Sequence, residues 1–401
     1  MSPSLRFPEF TGEWEKCKLG TLATKVGSGS TPKGGDAVYT SIGHYFVRSQ
    51  NVGMGFLMLD NIAHINDDIH QKHKATEIYE NDVLLNITGA SIGRTAVATK
   101  ELEGGNVNQH VCIIRTNSKV NPKFLCDYIQ TQRIQNHIKS LQTGGSREGL
   151  NFEQIRSFPI SLLSINEQNK LTCLLDKINE RIATQVRLID RLQSLMIGLN
   201  NSLYEQYGND ITTSFMELGY SYSGLSGKSA KDFGSGKPFI TYLNVYSNII
   251  VDETDYQYVR INDGEKQNIV RTGDVLFTLS SETPEEVGIG SVYLGEKEVY
   301  LNSFCFGIHI ERNQLAYSPY LSYYVTSTAF RKFIYPFAQG STRFNLCKAD
   351  FEKASIKLPS LDNQKRISAM LDCIAEKIQA EKAILEYYNI QRQYLLRQMF
   401  I

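Results

Sequence analysis

The sequence predicts an α+β chain made of two similar globular domains, each followed by a long helix. Three observations predict it: a repeat at a single offset, the same order of strand and turn signals in both halves, and a heptad seam closing each half. TGGSREGLNFEQIRSFPISLLSINEQNKL, around Gly144, returns as QGSTRFNLCKADFEKASIKLPSLDNQKRI around Gly340. Gly144 matches Gly340, Arg147 matches Arg343, Leu150 matches Leu346, Gln168 matches Gln364 and Asp176 matches Asp372, each pair 196 positions apart. Solenoid repeats have periods of roughly 20–50 residues, so this is a duplicated domain-plus-helix unit. Two such units approximate a two-fold dimer within one polypeptide.

Each half runs through the same series. An opening segment ends in Leu19-Gly20 and again in Leu218-Gly219. Gly/Ser-rich polar stretches follow at 26–35 and 223–238, then apolar stretches leading to Asn51-Val52 and Asn244-Val245. NDVLLNITGASIG (81–93) and GDVLFTLSSETPEEVGIG (273–290) each place Asp-Val-Leu before alternating apolar residues, a strand signal. Asp82 and Asp274 are expected in the turn entering that strand. NVNQHVCIIR (106–115) and YLNSFCFGIHI (300–310) read as further strands, and helices are expected from Pro122 and Pro319 onward. The resulting boundaries are 1–163 and 206–360 for the domains, and 164–205 and 361–401 for the long helices.

From Glu167 to about Leu203 the chain lacks proline and has one glycine. Leu171, Leu175, Ile178, Ile182, Gln185, Ile189, Leu192, Met196 and Leu199 step by four and three in alternation, a heptad a/d seam. The same register returns as Ile367, Leu371, Ile374, Ile378, Glu381, Leu385, Tyr388, Arg392 and Leu395, weaker after its midpoint. Gln185 and Glu381 are the central, polar members of the two series. Paired antiparallel, the helices would bring these two together to set register. Two amphipathic helices, each packed on its own domain, is the simpler alternative; the heptad length favours pairing. Leu171 to Leu199 spans about 42 Å of helix, against about 34–36 Å for one turn of B-DNA.

Composition narrows the class. The 401 residues carry 42 Lys plus Arg and 42 Asp plus Glu, so any nucleic-acid surface must be a local patch. The seven cysteines are scattered without metal spacing, which points to reduced thiols. Cys173 and Cys373, within the helical segments, are expected to pack. No apolar run long enough for a membrane helix or signal peptide occurs, so a cytoplasmic protein is expected.

The chain resembles the specificity subunit of type I restriction-modification systems. The resemblance is carried by LRFPEFTGEWEKCKLG (5–20), GSGSTP (27–32), NDVLLNITGASIG (81–93), Gln168 and Gln364 opening the long helices, and the duplication. It implies two target-recognition domains in pseudo-two-fold arrangement, separated by an antiparallel coiled coil, each domain reading half of a split DNA sequence. It implies a non-catalytic subunit without cofactor or metal. Its partners would be double-stranded DNA, two methyltransferase subunits and two motor-nuclease subunits. Because the loops at 26–50 and 223–243 diverge, an asymmetric target is expected.

Base reading favours Arg or Lys for guanine and Asn or Gln for adenine, while phosphates take Lys, Arg and hydroxyls. The candidates in the first domain are Lys33, Arg48, Gln50, Asn51, Arg94, Gln109, His110 and Arg147. In the second they are Lys228, Lys231, Lys237, Tyr242, Asn244, Asn302 and Arg343. Arg147 and Arg343 are shared by both domains and so fit phosphate or structural contact better than base reading. Asn51 and Asn244 also fit turn roles, and His110 a hydrogen-bonded core role. GLSGKS (224–229) lacks the first glycine of a phosphate loop, and Asn121-Pro122-Lys123-Phe124 lacks the second proline of an amino-methyltransferase motif. His64, His70 and His73 read as polar surface rather than as a metal site. A methyltransferase carrying its own recognition domain, and a purely protein-binding coiled-coil scaffold, are the competing functions.

Overall fold

A computed structural model describes residues 3–142 and 149–400. The chain divides into two compact units, Met1–Val186 with Ile384–Ile401, and Arg187–Ala383.

The first unit contains β1 (Glu15–Lys18), β2 (Ala23–Ser28), β3 (His44–Val47), β4 (Ala63–Ile65), α1 (Asp67–Lys72), β5 (Val83–Asn86), β6 (Thr95–Val97), β7 (Asn106–Val107) and β8 (Val111–Thr116). It continues with α2 (Pro122–Gln130), α3 (Gln132–Gln142), α4 (Phe152–Arg156), β9 (Pro159–Leu162) and the first part of α5 (Ile165–Tyr207). The strands form sheets in the orders β2-β8-β5-β6, β4-β3-β7 and β1-β9. The second unit holds β10 (Ile211–Thr213), α6 (Phe215–Leu218), β11 (Gly219–Ser223), β12 (Phe233–Ile240), α7 (Tyr242–Ser247), β13 (Tyr256–Val259), β14 (Val275–Thr278) and β15 (Ser280–Ser281). It continues with β16 (Gly290–Val292), β17 (Tyr300–Leu301), β18 (Cys305–Ile310), α8 (Ser318–Tyr324), α9 (Thr328–Ile334), β19 (Ala338–Gln339), β20 (Phe344–Leu346), α10 (Lys348–Lys353), β21 (Ile356–Leu358) and α11 (Leu361–Met399). Its sheets β11-β18-β14-β16, β13-β12-β17 and β10-β21 repeat the first unit's orders strand for strand, and the Ser280–Asn345 pairing within β15-β20-β19 corresponds to the Thr88–Gly149 bridge of the first unit.

The central strands are buried along their whole length, which explains their continuous apolar runs. Val83 and Leu85 of β5 face one core, and Leu84 faces another. Val275 and Phe277 of β14 divide from Leu276 in the same way. The turns entering these strands are tied by Asp82 and Asp274, whose carboxylates accept the backbone N–H of Tyr79 and Arg271, each at 2.8 Å. Asp82 also holds Arg115 through two 2.8 Å bonds. Asp274 is bonded instead to Tyr222 and His309, and burial pushes its carboxyl above the usual range.

Three expectations are corrected. Residues 106–115 and 300–310 are each two strands of different sheets, split at Asn108 and Asn302. Each asparagine accepts the backbone N–H two residues on (3.0 and 2.9 Å), an Asx turn that ends the first strand. The polar stretch at 223–238 is only partly loop, because β12 begins at Phe233 and pairs with β13 across a register shift. Cys173 and Cys373 are exposed. Each follows its seam leucine by two positions, about 200° around the helix.

Both long helices begin on a serine. Ser164 and Ser360 accept the N–H of Gln168 and Gln364 at their carbonyls, and of Glu167 and Asn363 at their hydroxyls. Gln168 and Gln364 are fully buried and act identically. The Gln168 Oε1 accepts the Asn121 N–H (2.8 Å), and its amide donates to the carbonyls of Lys119 (3.1 Å) and Leu163 (2.9 Å). Gln364 accepts the Tyr317 N–H (2.8 Å) and donates to Leu315 (2.8 Å) and Pro359 (2.9 Å). Each glutamine thus pins the start of a long helix to the segment entering α2 or α8.

Every residue of the α5 seam is buried or half-buried, as is every residue of the α11 seam. In the first unit α11 runs antiparallel to α5: Arg392 donates to Asn179 (2.7 Å), while Tyr388, earlier in α11, lies beside Arg181, later in α5. Arg392 also donates to Gln130 (2.6 Å), and Leu395, Leu396, Met399 and Phe400 enter the core with Leu171 and Leu175. In the second unit Met196, Leu199 and Leu203 of α5 pack on the core that holds Ile367 and Leu371. Gln185 and Glu381 are both buried, and the Glu381 carboxylate pairs with Lys377 one turn away.

Candidate nucleic-acid interface

In each unit the loops at one end of the sheets are stitched together by the same backbone bonds. In the first, Asn108 N–H donates to Val47 O (3.0 Å), Ile87 N–H to His110 O (3.0 Å) and Leu150 N–H to Ile87 O (2.8 Å). In the second, Asn302 N–H donates to Ile240 O (3.0 Å), Leu279 N–H to Phe304 O (2.8 Å) and Leu346 N–H to Leu279 O (2.8 Å). These bonds align His110 with Phe304 and Val47 with Ile240. Counting on three residues from Val47 and Ile240 aligns Gln50 with Leu243 and, one further, Asn51 with Asn244. A rigid frame therefore presents the loops after β3, after β5 and before β8, and their counterparts after β12, after β14 and before β18.

In the first unit the frame carries polar tips. Gln50 is exposed, and His110 is half-exposed with Nδ1 bonded to the Thr88 hydroxyl and Nε2 to Gln109. Gln109 in turn accepts the Thr31 hydroxyl. The Arg48 guanidinium sits 5.5 Å from the Tyr39 ring, and its Nε has no hydrogen-bond partner among the described residues. Lys33 and Arg94 are exposed. Arg147 lies outside the described residues. Asn51 is buried: its oxygen accepts the Arg48 N–H and its amide donates to Met58 O, both at 2.9 Å. It holds the loop from inside and has no surface to offer a ligand. His70, one of the three neighbouring histidines, is buried and bonded to Asn106 (2.8 Å).

In the second unit Tyr242, Leu243, Tyr246, Ser280, Ser281, Glu282, Phe304 and Arg343 line a cavity of about 310 Å³. Tyr242 donates to Ser280 O (2.9 Å) and stacks on Tyr246, while the exposed Arg343 guanidinium lies 5.7 Å from the Phe304 ring. Asn302 is spent in its Asx turn. Asn244 is fully buried: its amide donates to Asp252 O and Asp255 O, and its oxygen accepts from Asp252 N–H and Asn248. It too is a frame residue. Lys231 and Lys237 are exposed but take no part in the bonds that join the loops. Lys228 looked like a free loop lysine in the sequence. Its ammonium is buried, donates to Arg260 O and pairs with Glu265, whose carboxyl it holds down at about 2. Leu243 and Phe304 escaped notice because exposed apolar residues read as core in a sequence. Their alignment with Gln50 and His110 was the available signal.

Two domains that share their sheet orders, each packed with parts of both long helices, define a duplicated protein. The model of the type I restriction modification DNA specificity domain matches residues 11–194 and 225–387, and the chain belongs to this family. It is 27% identical over 150 residues to the type I restriction enzyme StySPI specificity subunit of Salmonella potsdam, and 26% over 149 residues to the EcoKI specificity subunit of Escherichia coli (strain K12). Each match covers 37% of this chain and 32% of the relative, so the chain matches about a third of these relatives' length. A solved chain from work on assembly and conformational transition of the type I R-M system has a TM-score of 0.62 at 19% identity, with 98% of both chains covered. The type I restriction-modification S subunit from M. genitalium has a TM-score of 0.55 at 15% identity, with 100% of this chain and 99% of that one covered. These likenesses show the fold. Among the described residues no helix is long and apolar enough to cross a membrane.

Proposed function

We propose that the chain is the non-catalytic DNA-specificity subunit of a type I restriction-modification assembly. Each domain reads one half of an asymmetric, bipartite target, and the long helices set the gap, with Gln185 and Glu381 fixing their pairing register. The assembly joins it to two methyltransferase and two motor-nuclease subunits in the cytoplasm. One observation carries the reading: the frame bonds of the two domains are the same, while the tips they present differ in chemistry. One frame with two different tips fits a reader of two different half-sites. Arg48, Gln50, Gln109 and His110 are the proposed readers in the first domain, and Tyr242 and Arg343 belong to the face of the second. Lys33, Arg94, Lys231 and Lys237 are proposed phosphate contacts.

The test is coexpression with the methyltransferase subunit and genome-wide mapping of methylated adenines. The expected result is a split motif with a fixed gap, and replacing both Arg48 and Gln50 by alanine changes preference in one half only. Absence of any motif refutes the reading. S-adenosylmethionine binding by the isolated chain would favour the methyltransferase alternative instead.

A further inference from the structure

We propose that Leu243 and Phe304 form an apolar reading pair that recognises a thymine C5-methyl group in the half-site of the second domain. This rests on the reading of these loops as a DNA face. Leu243 is 67% exposed and Phe304 55%, and the two line the same cavity. Neither position is a loose end: Phe304 N–H is held by Asn302 and Phe304 O by Leu279, while Leu243 lies between the anchored Tyr242 and Asn244. The frame places them where the first domain carries Gln50 and His110. The same two positions are thus hydrogen-bonding in one domain and apolar in the other.

In the major groove only thymine presents a methyl group, and apolar side chains read it by contact, whereas glutamine reads adenine by paired hydrogen bonds. The surroundings suit DNA better than an apolar protein surface. Arg343 projects beside the Phe304 ring with a positive charge available for phosphate, and the Ser281 hydroxyl and Glu282 carboxylate share the same cavity. The Glu282 carboxylate suits a cytosine amino group at an adjoining step.

The test uses the chain assembled with its methyltransferase subunits and duplexes carrying the mapped target. Each thymine in the second domain's half-site is replaced in turn by deoxyuridine, which removes only the methyl group. At one thymine the wild-type complex binds about 4-fold more weakly, the worth of one buried methyl. The double variant L243A/F304A binds the thymine and uracil duplexes equally. Its thermal midpoint stays near that of the wild type, because the truncated atoms are exposed. Indifference of the wild type to every such replacement overturns the proposal, as does a drop that persists in the double variant. Loss of methyltransferase assembly in the double variant without DNA would reassign the pair to subunit docking and also overturn it. If the complex directs no split motif at all, the DNA-reading function fails, which is a separate outcome.

Discussion

Replacing Gln168 by leucine removes one buried carboxamide and strands three backbone groups: the Asn121 N–H and the carbonyls of Lys119 and Leu163. Leucine is close in volume, so the cost is that of hydrogen bonding rather than of a cavity. A net loss of about 1 kcal/mol for each of three bonds gives about 3 kcal/mol. With a urea slope of about 2 kcal/mol/M, the unfolding midpoint falls by about 1.5 M. Gln364→Leu strands the Tyr317 N–H and the carbonyls of Leu315 and Pro359 in the same geometry, so its cost matches within about 1 kcal/mol. The chain's single tryptophan, Trp14, is buried in the first unit's core, so its fluorescence reports that unit while circular dichroism reports both. Gln168→Leu must shift the fluorescence transition. A shift worth under about 1 kcal/mol, or costs for the two variants that differ several-fold, would refute the account of these residues as equivalent pins.

Further outcomes follow from groups inside the two units. Burial pushes the Asp127 carboxyl up to about 7, against an attractive contribution from Arg392. The folded state therefore keeps a proton that the unfolded chain sheds near pH 3.8, and wild-type stability falls as pH rises from about 4 to 7. Asp127→Asn is expected to match the wild type near pH 4 and exceed it by up to about 4 kcal/mol at pH 8, measured by denaturant titration across pH. Asn244→Ala removes four part-buried hydrogen bonds and is expected to cost about 2–4 kcal/mol while leaving the methylated motif unchanged. A changed motif in a variant that remains folded would return Asn244 to the reading surface.

The architecture was legible because periodicity and internal repetition are properties of the chain itself. The α5 seam, Leu171 to Leu199, was readable to the residue, and the match of Gln168 to Gln364 marked both helix starts. The purpose of those glutamines was not legible, since their partners are backbone groups 47 and 49 residues earlier. The same distance hid Lys228, whose counter-charge Glu265 lies 37 residues on. Asn51 and Asn244 have side chains that serve a base edge or a turn equally well, and only burial separates the two uses. Leu243 and Phe304 show the converse failure: residue type suggested the interior, and the frame put them outside.

The first unit is not a contiguous piece of chain, because residues 384–401 complete the unit begun by Met1. Leu395, Leu396, Met399 and Phe400 fill a core whose other walls, among them Phe124 and Leu171, are made more than 200 residues earlier. During synthesis the first domain must therefore leave the ribosome with a gap in its interior. It keeps that gap while the whole second domain is translated, and closes it only when the far end of α11 clears the exit tunnel. The domain made first is the domain finished last.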